Sequence, residues 1–341
     1  MMSKTGEMRN LLKRVSRSFY LTLRILPHSI YTPLSIAYLL ARATDTIADT
    51  SLVAISLRRK MLLDFQEIIL ETCEGQSCPA PKFGDLAQAT QATVAERELL
   101  AKAANVLDCL RSLGNHDRLL VRSVLETIIR GQEMDLIRFG AASTDNIASL
   151  DTDADLDEYT YCVAGCVGEF WTKVCRLHLL SGARLKEAAL LANGVRFGKG
   201  LQLANILRDL PKDLRLGRCY IPAHRLSNIG MKPQDLLESA AIDRFRPLYN
   251  KYLQLAEEHL LAGWEYVGML PFRQLRIRLA CAWPLLIGIK TLARLKTDNV
   301  LDDGHRVKIS RSEIRRIICQ SIITYPFPSA WNQMFYSVLT Q

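Results

Sequence analysis

The chain has 341 residues, 49% of them hydrophobic and 23% charged, and carries a net charge of +9. That is ordinary globular composition, and no apolar run reaches the roughly 18 to 20 residues that a membrane-spanning helix needs. The basic runs Arg58-Arg59-Lys60, Arg273 to Arg278 and Arg311 to Arg316 lie in helical stretches without interleaved aromatic residues, which argues against nucleic acid and for an anionic small substrate or an anionic membrane surface.

In chain order, the polar and basic stretch from Met1 to Arg14 holds no signal-peptide core. The apolar run Ile36 to Thr44 leads into Asp45 and Asp49, and Glu74 to Phe83, with Pro79 and Pro81, reads as a loop. Leu119 to Ile137 carries a broad apolar stripe at helical spacing, and Leu185 to Leu210 and Tyr249 to Leu270 read the same way. Gly140 to Asp157, rich in Ser, Thr, Asp and Ala, reads as a second loop. Strand alternation and hairpin turn signals are absent. Trp283 to Ile289 is too short to span a bilayer, and Pro326, Pro328 and Asn332 interrupt the apolar tail. The nine cysteines include no CxxC pair and no zinc-site spacing, so reduced thiols are expected. The expectation is one all-α domain over residues 1–341, with about ten or more helices. Its expected location is the cytoplasm, with at most peripheral contact with a membrane.

Two acidic clusters stand out. Asp45 and Asp49 close an apolar stretch, and Gln202, Asn205, Arg208, Asp209 and Asp213 recur at spacings of three and four. Residues four apart share a helix face, about 6 Å apart at Cβ. Asn205, Asp209 and Asp213 therefore form a line of oxygen donors about 12 Å long at 1.5 Å rise per residue. Aspartate is a poor residue inside a helix, and two carboxylates in apolar surroundings are costly unless a cation neutralises them. The bland alternatives are a helix cap or a solvated face bearing an Asp–Arg pair. Leu201, Leu203, Ala204, Ile206 and Leu207 wrap the second cluster and weaken the solvated-face alternative. A hard divalent ion such as Mg2+ held by carboxylates and substrate phosphate fits the pattern, and Arg208 suits phosphate oxygens. Pro211 removes a backbone donor and crowds the turn before it, so the helix is expected to bend or end there, with Asp213 on a kinked turn.

Five ordered motifs then carry a resemblance. They are Ser16-Arg17-Ser18-Phe19, Tyr38 with Arg42, Asp45-x3-Asp49, Tyr159-x3-Val163-Ala164-Gly165-x2-Gly168, and Gln202-x2-Asn205-Ile206-Leu207-Arg208-Asp209-x3-Asp213. Over about residues 10–290 the chain resembles the squalene and phytoene synthases, which join two prenyl diphosphates head to head. The resemblance implies an isoprenoid-synthase helical bundle around a central cavity. It assigns Asp45, Asp49, Asn205, Asp209 and Asp213 to Mg2+ and, through it, to diphosphate. Ser16, Arg17, Arg42 and Arg208 would contact diphosphate oxygens. Tyr159 would act in the first half-reaction, and Phe19, Tyr38 and Gln202 would line the cavity. Gly165 and Gly168 read as close helix-packing positions, and His178 as a satisfied structural histidine.

Within that family the product is open among squalene, formed with NADPH, and dehydrosqualene, hydroxysqualene or phytoene. Cys281-Ala282-Trp283-Pro284 and Val307-Lys308-Ile309 resemble segments of squalene synthases and favour squalene. No Gly-x-Gly-x-x-Gly loop follows a strand, but the family's reductive members use none. Lys212 stands where eukaryotic squalene synthases place an acidic residue. A non-catalytic helical assembly factor would predict broken acidic clusters, and both are intact. An ordinary terpene cyclase would share the carboxylates but not Tyr159 or Ser16-Arg17.

Overall fold

The computed structural model describes residues 4–16, 19–50, 53–76, 78–79, 81, 83, 93–183, 185–302, 304 and 307–339. Helices account for nearly all of its regular structure. In chain order they are α1 (Lys4–Val15), α2 (Phe19–Arg24), α3 (His28–Ala48), α4 (Ile55–Cys73), α5 (Val94–Ala101), α6 (Ala103–Arg111), α7 (Asn115–Phe139) and α8 (Asp153–Thr160). A π-helical turn, Tyr161–Gly165, joins α8 to α9 (Cys166–Leu179). Then come α10 (Glu187–Arg215), α11 (Ala223–Asn228), α12 (Ile242–Met269), α13 (Leu275–Thr297), α14 (Arg311–Thr324) and α15 (Pro328–Leu339). This is the all-α architecture expected from the sequence. The three long helices expected from periodicity are α7, α10 and α12, each a few residues longer than its apolar stripe.

Two compact units divide the chain: Met1–Gly140 with Phe170–Ala183, and Ala141–Glu169 with Arg184–Gln341. In the first, α3 buries Ile36, Leu39, Leu40, Ala43 and Ile47, a 3.6-residue period that turns one continuous face inward. That helix packs against α7, which buries Val121, Leu125 and Ile129, and α4 adds Leu62, Phe65 and Ile69. His178 closes this unit through Nε2, 2.8 Å from Asp117 Oδ1, and is a satisfied structural histidine.

In the second unit α10 and α12 form the central pair, with α13 against both. Close approach at the start of α10 depends on glycine. A Cβ on Gly168 would lie 1.9 Å from the Gly194 carbonyl oxygen, and one on Gly198 would lie 2.1 Å from that of Ala164. Gly165 is also tight, with Tyr161, Val195 and Lys199 atoms within 3.3 Å of its would-be Cβ. The loop expected over Gly140–Asp157 stops short, because α8 begins at Asp153 behind its Thr152 cap, and within it β1 (Ala148–Ser149) pairs in parallel with β2 (Arg218–Cys219). Strands of two residues are too short to show alternation.

Candidate active site

Asp45 sits in the last turn of α3, and Asp49 is its C-cap, with its N–H donating to the Asp45 carbonyl at 2.9 Å. A helix C-terminus carries about half a negative charge, so two carboxylates there oppose the helix dipole. Two arginines partly offset this. The buried Arg58 donates through Nη1 to the Ala48 carbonyl at 3.0 Å. Arg42 is gripped by Asp45 on one side and Glu96 on the other. Burial works against the Arg42 charge, but the two carboxylates outweigh it and raise its pKa. Glu96 is fixed in turn as the N3 residue of the Thr93 capping box of α5, accepting from Thr93 N–H at 2.7 Å. Glu96 had no part in the sequence reading; its one local signal is the Thr-x-x-Glu pattern at residues 93 to 96. The Asp45 carboxyl is crowded by protein, yet its side chain stays 38% exposed. Desolvation first, and then repulsion by Asp49, push its pKa up to about 6.

Along α10 the periodicity separates the two faces. Leu203, Leu207, Leu210 and Leu214 are buried, while Gln202, Asn205, Asp209 and Asp213 hold the intervening polar stripe. Asn205 is exposed; Gln202, Arg208, Asp209 and Asp213 are half-buried. Arg208 makes a two-point contact with its neighbour Asp209, Nε to Oδ1 at 3.1 Å and Nη2 to Oδ2 at 2.6 Å. Asp213 is pushed up to about 6, chiefly by burial and then by the Asp209 charge.

Of the two alternatives expected at Pro211, an end of the helix is corrected here. The helix does not end there; it continues through Pro211 to Arg215, so Asp213 lies in its last turn. Proline leaves the carbonyl one turn back without its usual N–H donor, and that carbonyl belongs to Leu207. The Tyr249 hydroxyl, fully buried on α12, donates to it at 3.1 Å. A side chain from the neighbouring helix thus supplies the bond that proline removes. Beyond Arg215, Gly217 adopts φ +77°, a left-handed conformation that closes the helix. Its N–H donates to the Leu214 carbonyl at 2.9 Å.

That turn leads into β2, and β2 delivers Tyr220 to Tyr159. The two rings stack at 4.7 Å, and the Tyr159 hydroxyl donates to the Tyr220 hydroxyl at 3.3 Å. Both tyrosines are buried. Tyr159 lies in the final turn of α8, directly before the π-helical turn, a distortion common at functional sites. Tyr220 was not singled out in the sequence; its pairing depends on a two-residue strand.

Of the remaining expected residues, Ser16 is only 2% exposed and spends its hydroxyl on the Leu12 carbonyl at 2.5 Å. Tyr38 is half-buried, with its hydroxyl 3.4 Å from the Val15 carbonyl. Phe19 opens α2, but its side chain, like Arg17 and Ser18, lies outside the described residues.

Among the described residues no three His, Cys, Asp or Glu side chains gather into a metal cage. Magnesium does not require one, because it keeps waters and binds through one or two carboxylates together with phosphate oxygens. Each acidic pair offers that hard-oxygen donor set at a helix C-terminus. Each contains one aspartate whose pKa is raised by burial and then by the neighbouring carboxylate, both of which a bound cation would offset. The residues present therefore fit a divalent cation. Among the described residues no helix is long and apolar enough to cross a membrane.

Known proteins resemble this chain in sequence and in fold. A family model described as squalene/phytoene synthase matches residues 12–313. A bifunctional lycopene cyclase/phytoene synthase of Phaeosphaeria nodorum is 28% identical over 246 residues, which is 72% of this chain and 38% of that protein. A presqualene diphosphate synthase of Rhodopseudomonas palustris is 27% identical over 256 residues, 75% of this chain and 76% of that protein. The chain thus spans well under half the length of the bifunctional relative. The solved structure of TcSQS with the ligand E5700 superposes with a TM-score of 0.79 at 23% identity, covering 98% of this chain and 90% of that one. At that identity the likeness speaks for the fold. With the family match extending over most of its length, the chain belongs to the squalene/phytoene synthase family.

Proposed function

We propose that the protein condenses two farnesyl diphosphates head to head into presqualene diphosphate and reduces that intermediate with NADPH to squalene. The observation that carries the first step is the matched pair of acid–arginine sets at helix ends, Arg42 with Asp45 and Asp49, and Arg208 with Asp209 and Asp213. Bound Mg2+ would neutralise diphosphate oxygens and make the diphosphate a better leaving group from an allylic carbon.

The chain's own residues do the rest. Asp45 and Asp49 in the first unit, and Asn205, Asp209 and Asp213 in the second, would hold Mg2+ and orient diphosphate oxygens. Arg42 and Arg208, now tied to carboxylates, turn to phosphate oxygens when substrate arrives, and Arg17 and Ser16 add contacts from the N-terminal segment. Phe19, Tyr38 and Gln202 line the path of the prenyl chain, where aromatic faces favour an allylic cation. The first C–C bond forms as the second substrate's double bond attacks, and cyclopropane closure then releases one proton. Tyr159 relays that proton: its hydroxyl oxygen takes it as its own proton passes to Tyr220 and the Tyr220 proton passes on to the released diphosphate, which is the net base. For the second step, Cys281-Ala282-Trp283-Pro284 and Val307-Lys308-Ile309 support squalene; no residue is assigned to the nicotinamide, which supplies the hydride.

Phytoene from two geranylgeranyl diphosphates is the second reading, favoured by the phytoene synthase relative. Incubation with Mg2+ and either farnesyl or geranylgeranyl diphosphate, with and without NADPH, separates the two. Presqualene diphosphate without NADPH and squalene with it are expected. A forty-carbon product alone would establish the second reading, and no thirty- or forty-carbon product would overturn both.

A further inference from the structure

We infer that the end of the second unit is a docking surface for an anionic lipid bilayer. Phe272, Ile323 and Phe327 are 52%, 69% and 63% exposed, and Leu275 and Ile322 are exposed as well. Single exposed apolar residues are ordinary on a soluble surface, but a group of large ones marks an interaction site.

These residues belong to one region because Tyr325 joins their segments. Its ring stacks on Phe272 at 4.8 Å, and its hydroxyl donates to the Phe272 carbonyl. The turn between α14 and α15, which carries Phe327, is thereby fixed against the segment that enters α13. The Arg278 guanidinium lies 5.9 Å and 5.6 Å from the two ring centres and donates to the Leu270 carbonyl at 2.7 Å. Beneath the turn, Trp264 stacks on Trp331 and Phe335. The exposed side chains therefore project from a packed base.

Charge selects the occupant. The exposed Arg273 and Arg276 alternate with Phe272 and Leu275. On α14 the exposed Arg315 and Arg316 lie seven residues before Ile322 and Ile323, which puts each pair on one helix face. The sequence contains no Asp or Glu from Tyr266 to Thr297, or from Ile314 to Gln341. Of the acids that border these stretches, Glu313 is taken up by the Ser310 cap, Lys290 at 3.0 Å and Arg294 at 2.8 Å, and the exposed Glu265 accepts from Asn193 Nδ2 at 3.3 Å. Hydrogen bonds from Ser310, followed by Lys290, hold the Glu313 pKa down to about 2. Guanidinium groups beside apolar tips are what an anionic interface takes up: the apolar side chains enter the acyl boundary and the arginines meet the headgroups. A bilayer also needs no matching shape. The inference stands apart from the proposed reaction, and its failure would leave that reaction untouched.

Flotation of the full chain tests it, with vesicles of phosphatidylcholine alone and of phosphatidylcholine mixed with phosphatidylglycerol. The protein is expected to float with the mixed vesicles only, and high salt is expected to release it. Replacing Arg315→Gln and Arg316→Gln together should lower partition about thirty-fold, at about 1 kcal/mol per basic side chain. Ile323→Glu with Phe327→Glu should abolish it. Lys13→Gln with Lys60→Gln removes the same charge elsewhere and should leave it unchanged. Thermal melts confirm that each variant is folded. Equal loss in the Lys13/Lys60 pair would overturn the inference, as would absence of vesicle binding by the wild type. A self-association that Ile323→Glu with Phe327→Glu dissolves, without vesicle binding, would assign the surface to a second copy of the chain.

Discussion

Replacing Tyr249 by Phe removes one oxygen atom and keeps the ring. The Leu207 carbonyl then loses its donor, because residue 211 is a proline and has no N–H to give. Leu207 is 1% exposed, so water does not easily replace the bond. An unsatisfied buried acceptor costs about 1–3 kcal/mol, and Tyr249→Phe should destabilise the protein by that amount. In a Pro211→Ala background the alanine N–H can satisfy Leu207, so the same substitution should cost less than about 0.5 kcal/mol, leaving a coupling of about 1–2 kcal/mol between the two positions. Urea unfolding of the four proteins, followed by circular dichroism at constant m, measures that coupling. An equal cost for Tyr249→Phe in both backgrounds would refute the repair of Pro211 by Tyr249.

Three other outcomes follow from the geometry. Asp45 and Asp213 have folded pKa values of about 6, above the unfolded value near 3.9, so the native protein binds more protons between about pH 4 and 6. Stability of the metal-free protein should therefore fall as pH rises through that window. The loss is about 3 kcal/mol for Asp213 and less for Asp45, which solvent partly screens; saturating Mg2+ should remove the decline in a denaturation series. Gly168→Ala sets a Cβ against the Gly194 carbonyl and should lower stability by about 1–3 kcal/mol or more. Gly182→Ala, in a turn with nothing within 4 Å of its would-be Cβ, should be nearly neutral in the same unfolding assay. Tyr159→Phe should slow single-turnover formation of the cyclopropyl diphosphate by about 10²-fold or more, with a smaller loss for Tyr220→Phe; wild-type rates in both would remove the tyrosine pair from the proton step.

Local patterns carried much of this structure, and long-range partners the rest. The 3.6-residue alternation of Leu203, Leu207, Leu210 and Leu214 with Asn205, Asp209 and Asp213 is visible in the string of residues, and so are the long helices it belongs to. Pro211 misleads because its remedy lies elsewhere: Tyr249 is 42 residues from the carbonyl it satisfies. Glu96 announces a helix start but not its grip on Arg42, 54 residues away. Tyr220 reaches Tyr159 across 61 residues through a two-residue strand pair that has no periodic signature. The raised pKa values of Asp45 and Asp213 depend on how deeply each carboxyl is enclosed, which residue spacing does not record.

The central claim is that both acidic pairs serve the diphosphate chemistry. Its most direct test is the Mg2+-dependent formation of presqualene diphosphate from farnesyl diphosphate, without NADPH, by the wild type, Asp45→Asn and Asp209→Asn in parallel. Each substitution keeps side-chain size and removes one charge. We expect a folded protein and a loss of at least about 10²-fold for each, the scale seen when a group that stabilises developing charge is removed. Undiminished product formation in both variants would contradict the account.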